Sequence, residues 1–131
     1  MQQIVDEDGC SDRYFIDSKA TSTEEIGNGI YPPAKRKLNE KLVPLIPHKA
    51  SQIKKEDYDS FDLLIGMDDE NLRYMAKTFG ADTENKIHKI REFSGTHADV
   101  ADPWFTNDFD TAYNQILQSC QDLFEFLEDN I

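Results

Sequence analysis

The chain has 131 residues, enough to bury one hydrophobic core, and this length predicts a single domain over residues 1–131. The 26 acidic and 14 basic residues give a formal charge of −12, so the surface repels polyphosphates and anionic lipid headgroups. We therefore expect neither a nucleic acid nor a membrane as a partner, and no apolar run approaches the roughly 20 residues that cross a bilayer.

The first half of the chain predicts a strand, a loop and then helices. Residues 14–18 are an aromatic and β-branched run, which is typical of a strand that leads into a loop. Pro32-Pro33 favours a helix start because proline is tolerated in the first turn, and residues 34–42 continue with good helix formers. A further helical turn is predicted within residues 54–60.

The second half alternates between strand and helix patterns. Residues 61–67 are nearly all apolar, which suits a strand covered on both faces, as in a parallel sheet. Asp68 and Asn71 then place an acid and a polar cap at the start of a helix that Gly80 ends. Residues 87–90 are a candidate short strand.

The last element is a long helix, because apolar residues recur at helical spacing across residues 109–127. Strands that alternate with helices predict an α/β fold, a three-layer sandwich with a parallel sheet. Ligands bind at the carboxyl ends of such strands, so residues 20–28, 67–71 and 94–108 are the candidate site segments.

The tetrapeptide Asp102-Pro103-Trp104-Phe105 is the most informative part of these segments. Proline stiffens the backbone beside the acid, and the two rings could wall a pocket for an aromatic substrate. A carboxyl group placed there could have a raised pKa and protonate a leaving group. On composition alone, the favoured interpretation is instead that Asp102 starts a turn and the rings pack beneath the loop.

The other candidate groups have simpler interpretations. His48 is predicted to support a neighbouring loop through hydrogen bonds. Asp68 and its two acidic neighbours suit a helix N-terminus, so we predict no metal site there. Cys10 is interpreted as a helix-end residue and Cys120 as a small buried side chain of the last helix. Their separation makes no metal-ligand pattern, which predicts reduced thiols, a cytoplasmic protein and no cofactor.

Several short motifs, taken in chain order, resemble the low-molecular-weight protein tyrosine phosphatases. These motifs lie at residues 16–22, 25–28 with Tyr31-Pro32-Pro33, 48–52, 55–58 and 67–72, and Asp102-Pro103-Trp104 falls where the family has its general acid. The resemblance covers nearly the whole chain and implies a phosphotyrosine phosphatase I-like fold.

The resemblance also implies a two-step phosphoryl transfer from a phosphotyrosine protein or an aryl phosphate. A cysteine thiolate attacks phosphorus, Asp102 protonates the leaving phenolate, and the same carboxylate then activates water. It further implies that Trp104, Phe105 and Glu24 bind the substrate. His48, Pro103, Asp68 and Asn71 would give structural support.

One part of the family pattern has no counterpart in this sequence. The family's Cys-x5-Arg loop binds phosphate after the first strand, but six residues after Cys10 is Ile16 and six after Cys120 is Phe126. The chain as given is therefore predicted to be inactive by the cysteine mechanism. The alternative hypothesis is a non-catalytic binding or regulatory module that keeps the pocket walls.

Without the family's first, inner strand, its two neighbours would have unpaired edges. Three explanations stay open: another chain supplies the piece, the sequence is truncated relative to the natural protein, or the strands rearrange. Truncation is the favoured one. The exposed strand edges also predict that copies of the chain could form a homo-oligomer.

Overall fold

The computed structural model describes residues 1–21, 29, 31–45 and 49–130, with the backbone alone at Trp104 and Phe105. The helices in these ranges are α1 Gln2–Glu7, α2 Pro32–Glu40, α3 Asp57–Ser60, α4 Asp69–Phe79, α5 Pro103–Thr106 and α6 Phe109–Asp129. The strands are β1 Leu64–Gly66 and β2 Ile87–Lys89, and 3-10 helices lie at Ser11–Arg13 and Ile90–Ser94. None of the described helices combines the length and hydrophobicity needed to cross a membrane.

β1 and β2 form a parallel pair, with Leu64 opposite Ile87 and Gly66 opposite Lys89. Both Leu64 and Gly66 are buried, and Ile65 between them is half-buried, so both faces of β1 are covered. The two predicted strands and the α/β class with a parallel sheet are confirmed, although each strand is shorter than its apolar run. A separate parallel bridge joins Ala20 to Gln52.

The strand predicted at residues 14–18 is wrong, because these described residues form no strand. Tyr14 has an extended backbone, with φ −128° and ψ 129°, as its aromatic side chain favours. Phe15 is 79% exposed and stacks on Phe61 with ring centroids 5.9 Å apart. The local composition favours an extended backbone. A strand also needs a neighbouring segment with which its peptide groups form hydrogen bonds, and the local composition does not specify that segment.

The helix after β1 packs closely on the strand because residue 66 is glycine. A Cβ atom at Gly66 would lie 2.9 Å from Cβ of Asn71 and 3.1 Å from Cε of Met75. Met75 is the buried residue of α4. Gly80 ends the helix with a φ of 78°. The βα unit predicted from the sequence is confirmed.

The core lies between the 3-10 helix Ile90–Ser94 and α6. Its buried members are Ile90, Val100, Ala112 and Leu123. The predicted helices at the middle and end of the chain are confirmed as α2, α3 and α6, and Cys120 is buried on α6 as expected.

The end of α1 shows why Cys10 lies where it does. Gly9 has φ 72°, a left-handed conformation that glycine adopts without strain. The Gly9 amide donates to the Asp6 carbonyl at 3.1 Å and the Cys10 amide to the Val5 carbonyl at 3.0 Å, as in a Schellman motif. Cys10 is thus a helix-end residue, as predicted.

Candidate active site

Two of the three candidate segments meet at the carboxyl ends of β1 and β2. The Val100 amide donates to the Met67 carbonyl at 2.9 Å, and the Asp69 amide donates to Oδ1 of Asp99 at 3.1 Å. The loop after β2 is therefore fastened to the turn between β1 and α4, the edge of a parallel sheet where ligands bind.

The remaining candidate segment, residues 20–28, is described only at Ala20 and Thr21. The Ala20 amide donates to the Ser51 carbonyl at 2.7 Å, beside the bridge to Gln52. Nε2 of Gln52 donates to the Tyr74 hydroxyl at 2.9 Å. This strand-like piece is thereby linked to α4, while Glu24 and His48 lie outside the described residues.

Asp68 and Asn71 form a reciprocal cap at the start of α4. Oδ1 of Asp68 accepts from the Asn71 amide at 2.8 Å, and Oδ1 of Asn71 accepts from the Met67 amide at 3.0 Å. The Asn71 amide, which the first turn would leave without a partner, is satisfied in this way, and so is the Met67 amide just before the helix. Asp69 and Glu70 follow in the first turn, where negative charge complements the helix dipole.

Lys89 connects this helix start to the loop after β2. Its ammonium donates to Oδ1 of Asp69 at 2.8 Å, to Oδ1 of Asp99 at 3.0 Å and to the His97 carbonyl. The hydrogen bonds to Asp69 and then Asp99 raise the pKa of Lys89. The bond from Lys89 lowers the pKa of Asp99.

Sequence reasoning missed Lys89. The signal was a lysine within the candidate strand of residues 87–90, because a charged residue in a buried strand needs ionic partners. Asp69 and Asp99 provide them from positions 20 and 10 residues away.

Asp102 lies on the exposed surface immediately before α5. Its carbonyl accepts from the amide and the hydroxyl of Thr106, both at 3.3 Å. Pro103 is half-buried at the first position of α5, where its missing N–H costs nothing. On the other side, the Ala101 amide donates to Oε1 of Gln115 in α6 at 2.8 Å. The acid is thus held between a helical turn and an anchor on α6.

An open groove adjoins the end of this loop, between α2 and the start of α6. Its lining residues are Pro33, Arg36, Lys37, Glu40 and residues 107–110. Lys37 crosses it, with its ammonium 2.8 Å from Oδ1 of Asp110 and 3.0 Å from Oε2 of Glu40. The bond from Lys37 lowers the pKa of Asp110.

Cys10 is distant from the acid loop, residues 95–102, which leads into α5. Sγ of Cys10 donates to Oε1 of Glu128 at 3.1 Å, near the end of α6, whereas the acid loop is anchored at Gln115. The 13 residues between them correspond to about 20 Å along a helix. The bond to Glu128 raises the pKa of Cys10, which keeps the thiol protonated and disfavours nucleophilic attack.

Asp8, Cys10 and Glu128 place potential metal-ligand atoms within 4.8 Å of one another. However, Nη2 of Arg13 lies 2.6 Å from Oε1 of Glu128 and 2.9 Å from Sγ of Cys10. Hydrogen bonds and an ion pair therefore account for this cluster without a metal.

A model of the family described as low molecular weight phosphotyrosine protein phosphatase matches residues 1–131. The chain belongs to this family. A low molecular weight phosphotyrosine protein phosphatase of Rattus norvegicus is 35% identical over 133 residues, which cover 95% of this chain and 81% of the relative.

Two solved structures show how closely the low-molecular-weight phosphatase fold is followed. The low molecular weight protein tyrosine phosphatase of Streptococcus pyogenes is 34% identical with a TM-score of 0.80, covering 89% of this chain and 75% of that chain. YfkJ from Bacillus subtilis has a TM-score of 0.93 over 98% of this chain and 82% of its own. At 23% identity, YfkJ supports the fold alone. The family resemblance inferred from the motifs is confirmed.

Proposed function

We propose that this chain contains the general-acid half of a protein tyrosine phosphatase, a phosphomonoester hydrolase acting on phosphotyrosine or aryl phosphates. The observation that supports this most is the hydrogen bond from the Val100 amide to the Met67 carbonyl. It holds the loop with Asp102 at the carboxyl edge of the parallel sheet. The general-acid role proposed for Asp102 is inferred from family membership, since Asp102-Pro103-Trp104 falls where the family has its general acid.

In the proposed reaction, Asp102 protonates the departing phenolate and then takes a proton from the attacking water. Trp104 and Phe105 would contact the aromatic ring of the substrate, together with Glu24. Pro103, His48 and the cap formed by Asp68 and Asn71 would hold the surrounding loops. This chemistry requires no metal or cofactor.

The nucleophile is proposed to come from outside the sequence given. Neither cysteine has an arginine six residues later, and Glu128 keeps the Cys10 thiol protonated. A first strand followed by a Cys-x5-Arg loop would pair between residues 14–18 and the edge of β1 that faces away from β2. The extended backbone at Tyr14 and the exposed ring of Phe15 support that placement.

Hydrolysis of an aryl phosphate tests this proposal on two proteins. One is the 131-residue chain, and the other, called the extended chain below, has such a strand and Cys-x5-Arg loop joined before Met1. We expect vanadate-sensitive turnover only in the extended chain, and its loss when the added cysteine is replaced by serine. Vanadate-sensitive hydrolysis by the 131-residue chain would contradict the proposal.

A non-catalytic binding module is the second candidate, favoured by the absence of a Cys-x5-Arg spacing in this sequence. The coding sequence upstream of the Met1 codon distinguishes the two. An in-frame phosphate-loop sequence there supports the enzyme, and an immediate stop codon supports the module. The module would also bind a non-hydrolysable phosphotyrosine peptide without any added segment.

Four further features are part of the proposal. Residues 1–131 would form a single domain, and the free thiols of Cys10 and Cys120 agree with a cytoplasmic location. Copies of the chain would associate through the edge of β1. The net charge of −12 agrees with partners that are neither nucleic acids nor membranes.

A further inference from the structure

Lys89 is a buried cation at the carboxyl end of β2, with only 5% of its surface exposed. Burying an ammonium group is unfavourable unless each of its protons finds an acceptor. The three acceptors are Oδ1 of Asp69, Oδ1 of Asp99 and the His97 carbonyl. All three donors are thereby used, so Lys89 has none left for a substrate phosphate.

These acceptors belong to two different elements. Asp69 is the first residue of α4, whereas His97 and Asp99 lie in the loop that follows the 3-10 helix Ile90–Ser94. Oδ1 of Asp99 accepts from both the Lys89 ammonium and the Asp69 amide. A single cation on a buried strand therefore fastens the loop to the start of α4.

The fastened residues lie directly before the acid. Asp99 is three residues before Asp102, a span of at most about 10 Å. Nη1 of Arg91 also donates to the Asp99 carbonyl at 3.1 Å, and the Val100 amide donates to Met67. The backbone that leads into Asp102 is thus fixed at residues 97–100.

We propose that Lys89 is a positioning residue for the acid loop, residues 95–102. It holds Asp99 and the His97 carbonyl against α4, and so keeps Asp102 at the carboxyl edge of the sheet. The inference rests on the proposed function, because only there does the position of Asp102 matter for a reaction. Misplacing a catalytic group by about 1 Å can cost two orders of magnitude in rate.

The test measures the amide hydrogen exchange of the acid loop and the fluorescence of Trp104 in the 131-residue chain. Lys89→Met keeps most of the side-chain volume and removes the charge. Lys86→Met is the matched control, because Lys86 precedes the same strand and donates to the Tyr58 carbonyl at 2.8 Å at the opposite end. Trp104 is the only tryptophan of the chain, so its fluorescence reports on α5, which directly follows this loop.

In Lys89→Met, we expect the amides of Asp69, Val100 and Ala101 to exchange about tenfold faster, as for loss of a charge-assisted hydrogen bond. Acrylamide quenching of Trp104 should change as well. Protection of α6 should stay as in the wild type, and Lys86→Met should leave the loop signals unchanged. If Lys89→Met does not fold, Asp99→Asn serves in its place and should give the same local effect.

Unchanged loop exchange in Lys89→Met, or equal acceleration in the loop and α6, would overturn the inference. The first result would show that Lys89 does not hold the loop, and the second would make it a general stabiliser of the fold. None of these measurements needs catalysis. A lack of turnover in the extended chain would therefore overturn the proposed function and leave the test of Lys89 intact.

Discussion

At the scale of single residues, Glu128 is the largest influence on the pKa of Cys10. Its carboxylate accepts from the thiol at 3.1 Å and raises the pKa of Cys10, which is 6% exposed. Glu128→Gln removes the repulsion between the carboxylate and a thiolate while Arg13 remains to stabilise it. We therefore expect a lower Cys10 pKa in this variant.

The rate of Cys10 alkylation as a function of pH, followed by mass spectrometry in a Cys120→Ser background, measures that pKa. Glu125→Gln, an exposed position on the same helix, is the control and should behave like the parent. Identical pH profiles for the parent and Glu128→Gln would contradict this account of Cys10.

The Lys89–Asp99 pair makes the stability of the chain depend on pH. The hydrogen bond from Lys89 lowers the pKa of Asp99, so the stabilisation is present above the unfolded value, about 3.9, and is lost as the pH falls through the lower folded value. Urea unfolding should show that wild type and Lys89→Met differ most near neutral pH and converge below about pH 4. A difference that stays constant down to pH 3 would refute this coupling.

At the scale of elements, a hydrogen-bonded cluster joins α3 to the turn before β2. Oδ1 of Asp82 accepts from the Tyr58 hydroxyl at 2.7 Å and the Lys86 amide at 2.8 Å, and Oδ2 accepts from the Ile87 amide at 3.0 Å. Burial raises the pKa of Asp82, but these hydrogen bonds outweigh it and leave the pKa lowered.

Replacing Tyr58 by phenylalanine removes the hydrogen bond to Asp82 and the one that the hydroxyl accepts from the Glu84 amide at 2.9 Å. It should lower the free energy of unfolding by about 2 kcal/mol, the net value of two hydrogen bonds. Asp82→Ala should cost about 2–3 kcal/mol, because it leaves two partly buried amides without an acceptor. Urea denaturation measures both, with the exposed Asp59→Ala on α3 as the control. Equal stability of Tyr58→Phe and the wild type would show that the Tyr58 hydroxyl contributes nothing, and equal stability of Asp82→Ala would show the same for the whole cluster.

The elements that could be predicted from the sequence are those whose signals are local. α4 is specified by its cap at Asp68 and its end at Gly80, and α6 by apolar residues at helical spacing. A strand at residues 14–18 could not be decided locally, because pairing depends on a distant partner. Lys89 was missed for the same reason: both of its carboxylate partners are remote in sequence. Asp102 was identified only through the family motif, since its composition favours an ordinary turn.

At the scale of the whole molecule, the proposed association between copies of the chain concerns the edge of β1. In the described residues β1 pairs with β2 alone, and Phe15 lies exposed against Phe61. An unpaired strand edge close to an apolar patch favours pairing with another chain. We expect the 131-residue chain to associate as its concentration rises and the extended chain to stay monomeric.

Analytical ultracentrifugation over a concentration series tests this prediction. Phe15→Glu should weaken the association, whereas Leu42→Glu, at another exposed apolar residue, should not. A 131-residue chain that remains monomeric throughout the series would rule out the edge as an association surface.

The role of Asp102 is tested most directly by the dependence of turnover on the leaving group. In the extended chain, Asp102→Asn should reduce kcat/KM for phenyl phosphate by about 10²-fold or more, the usual contribution of a general acid. Asp102→Asn should reduce kcat/KM far less for 2,4-dinitrophenyl phosphate, whose leaving group needs no proton. Asp59→Asn should change neither. An equal reduction for both substrates, or none for phenyl phosphate, would contradict the assignment of Asp102 as the general acid.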